Sequence, residues 1–341
     1  MVLTRSQRKA NMAQAVAVAP LRENRNIFSM DALIAFVELA TFRLDYGTAV
    51  THLDVELTVA ALQRDSVESY LRICFALVPN LEVLELLLFP PPTTTMFNRL
   101  TLPYIQIFKA NIPHRSLAQF FTNNPSLRAV DIASCGRSSA CPLESVDMSH
   151  VTDIRCPIEC SRGIVHEGTD RLRLDITKPS TLPSNLLANR PVLDVLHVLT
   201  IDFIPTNNSI LKKVATLAPW LCHLRLLEKT RSATKHIARP WRNTDAWARS
   251  LRHLAYLQEI VIRTAGSLST VPGDRKAERA VFRAWVGSTS SAPHPTIYTV
   301  TVWQRVDDDD GGIVSQWSRE NGEWKGIWMD NPRKNHLPLF K

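Results

Sequence analysis

The sequence predicts an α/β repeat solenoid, with short strands laid side by side in one parallel sheet and helices on its outer face. Three observations predict it. An apolar triplet recurs along the chain at fixed spacing. One-sided apolar stripes run up to the prolines that introduce it. Glycine, at 11 of 341 residues, is too scarce for the phosphate turns of a nucleotide-binding enzyme, whereas 21 prolines suit a chain that turns often.

The triplet is a proline followed by apolar residues at +2, +5 and +7. Pro79 precedes Leu81, Leu84 and Leu86, and Pro125 precedes Leu127, Val130 and Ile132. Pro191 precedes Leu193, Leu196 and Val198, and Pro219 precedes Leu221, Leu224 and Leu226. Ala255 takes the proline position before Leu257, Ile260 and Ile262. Copies without proline are read at Leu102/Ile105/Ile107, Val151/Ile154/Cys156, Val50/Leu53/Val55 and Thr169/Leu172/Leu174. Most gaps between copies are 18 to 31 residues and the last is 36. This is the period of an irregular leucine-rich repeat.

The pair at +5 and +7 puts two side chains on one face of a strand, and the +2 residue anchors the turn into it. Proline ends the preceding helix, having no N–H and clashing with its continuation. Helical stripes occupy the expected places: Leu71/Phe75/Val78, Leu117/Phe120/Phe121 and Leu211/Val214/Leu217. Strand, loop, helix and proline make a right-handed βα unit, and its repetition gives a horseshoe with the sheet inside. A doubly wound α/β domain also alternates strands and helices, but it needs no common register.

The two ends differ from the middle. Residues 1–28 are polar and basic and read as a disordered arm; the lack of acidic residues in 1–22 also admits a mitochondrial presequence. Residues 29–290 read as the solenoid, beginning with a capping helix over Ser29–Leu44. Residues 291–341 read as a Trp-rich antiparallel cap and tail. In it, Ile297–Val306 alternates like a strand, and Asn321-Gly322 joins Ile313–Glu320 to Glu323–Met329 as a type I′ hairpin. Trp303, Trp317, Trp324 and Trp328 sit on these strands, as a cross-strand aromatic set or as a binding surface.

No run approaches the roughly 20 apolar residues of a membrane span, and no secretory signal is present, so a cytoplasmic or nuclear protein with reduced thiols is expected. Phosphate-binding, nucleophile-elbow and zinc-protease motifs are missing, so a non-enzymatic protein without a cofactor is expected. Cys135, Cys141, His150, Cys156, Cys160 and His166 offer zinc ligand types. Their C-x5-C and C-x3-C spacings depart from the tight C-x2-C knuckle, and no metal site is assigned: Cys156 reads as strand core and the others as turn residues. The acidic run Asp307–Asp310 lacks the ligand spacing of an EF-hand and reads as a solvated turn.

Two surfaces could bind a partner. Strand positions between the core residues face the inside of the horseshoe; these are Glu85, Asp131, His197, Arg225 and Val261, a mixed set suited to a protein partner. The alternative is nucleic acid or an acidic partner on the segment Arg225–Arg283, where 13 Lys/Arg against 5 Asp/Glu carry the whole +8 charge of the chain. Its basic residues include Lys229, Arg231, Lys235, Arg239, Arg242, Arg249 and Arg252, with Trp220, Trp241 and Trp247 interleaved to stack bases. A set of solvated helix faces explains the same charges.

The stretches Ile112-Pro113-His114-Arg115-Ser116-Leu117, Asn124-Pro125-Ser126-Leu127, Cys141-Pro142-Leu143 and Val151–Pro157 resemble the leucine-rich-repeat, ribonuclease-inhibitor-like proteins of mushroom-forming fungi, many of them F-box-like. The resemblance covers about residues 50–265 in style. It implies a repeat scaffold and substrate recruitment to a cullin-type ubiquitin ligase. The Leu-Pro-x-Glu-like helix that would bind the ligase adaptor is missing from the sequence.

Overall fold

The computed structural model describes residues 23–58, 64–91, 96–133, 135, 140–177, 191–229, 238–269, 274–286, 294–305 and 312–330. Among the described residues, thirteen strands form one open sheet in which spatial order equals chain order. They are β1 (Glu23–Ile27), β2 (Val50–Thr58), β3 (Val83–Phe89), β4 (Ile107–Ala110), β5 (Ala129–Ile132), β6 (Asp153–Pro157), β7 (Arg171–Asp175), β8 (Val198–Phe203), β9 (His223–Glu228), β10 (Glu259–Thr264), β11 (Thr299–Arg305), β12 (Gly312–Glu320) and β13 (Glu323–Asp330). The first eleven pair in parallel, and β12 and β13 complete the sheet antiparallel. Eight helices lie among the described residues: α1 (Met30–Phe42), α2 (Leu44–Thr48), α3 (Arg64–Leu77), α4 (Ala118–Asn123), α5 (Ser161–Ile164), α6 (Ile210–Leu217), α7 (Thr244–Arg252) and α8 (Arg275–Val286). None is long and apolar enough to cross a membrane.

One aligned row crosses the parallel sheet through Leu53, Leu84, Phe108, Val130, Ile154, Leu172, Leu199, Leu224, Ile260 and Val300. All are buried. A single strand with this pattern exposes its apolar face, and the next strand and its helix cover it, so every segment depends on its neighbours. The apolar stripes before Pro79, Pro125 and Pro219 are buried as expected, including Leu71, Phe75, Phe120, Phe121, Leu211 and Val214. Phe97, Phe108, Phe120 and Phe121 pack edge-on or tilted, with ring centroids 4.7–5.9 Å apart.

Two copies of the triplet sit three residues later than the sequence indicates. At Leu102/Ile105/Ile107 the buried set is Ile105, Phe108 and Ala110, and Ile107 is exposed. After Pro191 the set is Leu196, Leu199 and Ile201. An L-x-x-L spacing superimposes on itself after a shift of three. Leu102 and Leu193 are also buried, so one extra apolar residue in the entering turn produces the ambiguity. His197 therefore lies before β8 rather than on its open face, and Thr200 holds the place expected for it.

The ends also differ from expectation. Residues 1–22 lie outside the described residues, but β1, expected in a disordered arm, pairs in parallel with β2 through its backbone. A helix does form where the capping helix was expected, but α1 lies between β1 and β2 and packs on α3; the Ser29 hydroxyl accepts from the Ala32 N–H at 3.1 Å. β11, expected in the antiparallel cap, instead continues the parallel array with its own triplet Ile297/Val300/Val302. β12 and β13 do form the hairpin, with Asn321 and Gly322 at φ +51° and +86°. The tryptophans there are mainly core: Trp317 stacks on Phe282 of α8 at 4.8 Å, and Trp328 meets Trp317 edge-on. Gly326 is required beside them, since a Cβ there would lie 2.6 Å from the Trp317 ring.

Buried polar groups tie the layers together. Glu278 of α8 accepts hydrogen bonds from Gln304 Nε2 at 2.6 Å, Ser315 Oγ at 3.1 Å and Trp328 Nε1 at 3.1 Å, joining the helix to β11, β12 and β13. Asn124, just after α4, accepts from the Leu102 N–H at 2.6 Å and donates to the Phe120 and Leu100 carbonyls at 2.7 and 3.1 Å.

Candidate functional site

Two features of this architecture concentrate chemistry. The first is the open face of the sheet. Strand alternation places every second side chain on the face away from the helices. The row there runs Asp54, Glu85, Lys109, Asp131, Arg155, Arg173, Thr200, Arg225, Val261 and Thr301. Glu85, Asp131, Arg225 and Val261 occupy the positions expected, half-exposed. His197 does not join them; its Nδ1 pairs with Asp170 at 2.6 Å on an exposed turn.

From Glu85 to Arg155 the charges of this row alternate, and with Asp175 at the end of β7 they bind one another. Lys109 Nζ meets Glu85 at 2.6 Å. Arg155 donates to Asp131 at 3.0 Å and to Asp175 at 2.7 Å, and Arg173 donates to Asp175 at 3.0 Å. Burial pushes the Asp131 carboxyl above its ordinary range against the pull of Arg155 and Lys109. Burial works the same way on Asp175, but Arg155 and Arg173 together hold it low. Half-exposed pairs of this kind contribute only about 0.2–1 kcal/mol each. Their larger effect is to fix long side chains in one geometry across β3–β7. The adjacent row adds an apolar strip of Val83, Ile107 and Ala129, with Ile107 43% exposed.

The basic segment behaves differently. Arg231 and Lys235 lie outside the described residues. Lys229 pairs with the buried Asp202 at 3.1 Å, and Arg239 is itself buried against Glu228 at 3.0 Å. Arg242 donates to the Ser269 carbonyl, and Arg249 to the Asp245 carbonyl. Arg249 and Arg252 are exposed on α7. Trp241 and Trp247 are core residues, 0% and 3% exposed, packed on each other and on Trp285. They offer no face to a base. Trp220 is exposed, and its ring packs tilted against Tyr256 with centroids 4.6 Å apart.

The second feature is a cluster of sulfur and imidazole. His114 opens a 3-10 turn (His114–Ser116) after β4, and Cys135 follows β5. Cys141 precedes the 3-10 turn Pro142–Ser145, and Cys160 ends the 3-10 turn Ile158–Cys160 after β6. One ligand atom from each of the four lies within 4.8 Å of every other. His114, Cys135 and Cys160 are buried and Cys141 is half-buried. His114 Nδ1 is 3.2 Å from Cys141 Sγ. A hydrogen bond from Cys160, with help from His114, lowers the Cys141 thiol, and the same hydrogen bond together with burial pushes the Cys160 thiol up.

Of the six residues noted in the sequence as ligand types, three belong to this cluster and three do not. Cys156 is a core residue of β6, as expected. His166 bridges the Val151 carbonyl at 2.9 Å and the Gly168 N–H at 3.1 Å, and His150 lies outside the group. His114 was not among the six. Its signal was positional: His114, Cys135 and Cys160 stand six, five and six residues after the aligned core residues Phe108, Val130 and Ile154. The acidic run Asp307–Asp310 lies outside the described residues.

No protein-family model matches the chain, and no curated protein matches it.

Proposed function

We propose that the protein is a leucine-rich-repeat scaffold that binds a protein partner on the open face of its sheet. The observation that carries this reading is the aligned row of half-exposed, mutually oriented side chains on β3–β7, flanked by the strip Val83, Ile107 and Ala129. Side chains already held in place lose little further freedom on binding, which favours recognition. Mixed charge beside an apolar strip suits a polypeptide better than a polyanion. The resemblance to fungal F-box-like proteins extends the reading to substrate recruitment by a cullin-type ubiquitin ligase.

The test is affinity purification from native extract with the wild-type chain and two open-face variants, Ile107→Asp and the pair deletion Glu85→Ala/Lys109→Ala. Each open-face variant is expected to weaken capture of a bound partner at least about tenfold, equivalent to about 1.4 kcal/mol. Lys212→Ala on α6 is expected to leave it unchanged. Undiminished capture by both open-face variants refutes the reading. Recovery of a ligase adaptor with its cullin supports the recruitment form. Retention on heparin that is lost with salt favours the basic segment instead.

A further inference from the structure

The thiol and imidazole cluster carries an inference independent of partner binding. We propose that His114, Cys135, Cys141 and Cys160 form a closed, structural zinc site that staples together the ends of three consecutive strands, β4, β5 and β6.

The donor set comes first. Structural zinc takes four ligands, and three thiolates with one imidazole is one of its usual sets. Soft sulfur ligands select against magnesium and calcium. With four protein ligands no position is left open for water or substrate, so the site is structural rather than catalytic.

Geometry agrees. A tetrahedral ion with Zn–S about 2.3 Å and Zn–N about 2.0 Å needs ligand atoms roughly 3.5–3.8 Å apart. The four atoms here all lie within 4.8 Å of one another, so closing on an ion takes shifts of about an ångström or less.

The imidazole needs a partner that the described residues do not supply. His114 is 0% exposed, and among the described residues its Nδ1 meets only a sulfur at 3.2 Å and its Nε2 has no hydrogen-bond partner. A buried polar ring held so weakly is costly. Ligation through Nδ1, the nitrogen that faces the sulfurs, replaces that weak contact with a metal bond; it leaves the Nε2 proton as it is.

Placement explains what a staple would do. Elsewhere the strands are backed by helices such as α3, α6 and α8, of 14, 8 and 12 residues. From β4 to β7 the described connections hold only short 3-10 turns, the six-residue α4 and the four-residue α5. These connections hold little helix with which to bury their strand ends. A metal bonded to all three supplies the cross-link that small cores need.

The experiment uses the full chain, expressed with zinc and washed with chelator. Elemental analysis is expected to find about one zinc per chain. Cobalt(II) in its place is expected to give tetrahedral d–d bands with thiolate charge transfer, which reads the ligand set without any mutation. Cys141→Ser and Cys160→Ser are each expected to lose most of the metal, Cys222→Ser to keep it, and His114→Cys to keep it with stronger charge transfer. Three results overturn the proposal: a folded wild-type chain that takes up no zinc, zinc content unchanged in both serine variants, or an intact mass short of two hydrogens from a disulfide between cluster cysteines.

Discussion

Asn124 makes a severe test of how adjacent segments are joined. It is 1% exposed, and its side chain satisfies three backbone groups of the preceding connection and of α4. Asn124→Ala removes all three hydrogen bonds and leaves the buried Leu102 N–H without an acceptor. At about 1 kcal/mol for each of the two bonds to carbonyls and about 1–3 kcal/mol for the buried donor left without an acceptor, the loss should be about 3–5 kcal/mol. Asn124→Asp separates the two halves of the amide. The carbonyl half is kept and still accepts from Leu102. The amino half becomes an oxygen that faces two carbonyls, so only the protonated acid can donate, and to one of them. The introduced carboxyl is therefore raised in the folded state above its unfolded value. The unfolded chain loses its proton first, so stability falls as pH rises through the window between the two values and stays low above it. Urea unfolding followed by far-ultraviolet circular dichroism, at neutral and mildly acidic pH, measures both effects. Destabilisation by Asn124→Ala of less than about 1 kcal/mol would refute the accounting. So would an Asn124→Asp variant that loses stability, relative to wild type, on acidification.

Two further outcomes follow from buried polar groups near the chain's end. His294 is 3% exposed; its Nε2 donates to the Leu251 carbonyl at 3.1 Å and its Nδ1 accepts from the Thr296 and Ile297 N–H groups at 3.4 and 3.3 Å. Burial lowers its value from the ordinary 6.5. The unfolded chain then binds the proton more readily, so stability is complete above 6.5 and declines as pH falls through that value towards the folded one. Thermal melting from neutral to mildly acid pH should show the decline, and His294→Gln, though less stable, should flatten it; equal slopes would count against the assignment. Glu278→Ala leaves the Gln304 amide, the Ser315 hydroxyl and the Trp328 indole N–H without their shared acceptor. A loss of about 3 kcal/mol and a shift in tryptophan emission are expected, and an unchanged unfolding midpoint would show that the network contributes little.

The order of β2–β10 and most of their register were legible in the sequence. Burial of one face repeats wherever a segment must lie on its neighbour, so Leu84, Val130, Ile154, Leu172, Leu224 and Ile260 were legible one chain segment at a time. Ile107 and His197 were misplaced because a three-residue apolar spacing fits itself when shifted, and only exposure of the final position separates the alternatives. β1 was hidden for another reason: Glu-Asn-Arg-Asn-Ile has almost no apolar face, and parallel backbone bonds to β2 make it a strand. The direction of β11 was equally out of reach, since alternation is the same in parallel and antiparallel pairs. Tertiary structure alone decided the thiol and imidazole cluster. Stacking at about 4.8 Å per strand brings residues a whole repeat apart into contact. Ligands 19 and 21 residues apart therefore look unrelated along the chain while their donor atoms meet at the ends of adjacent strands.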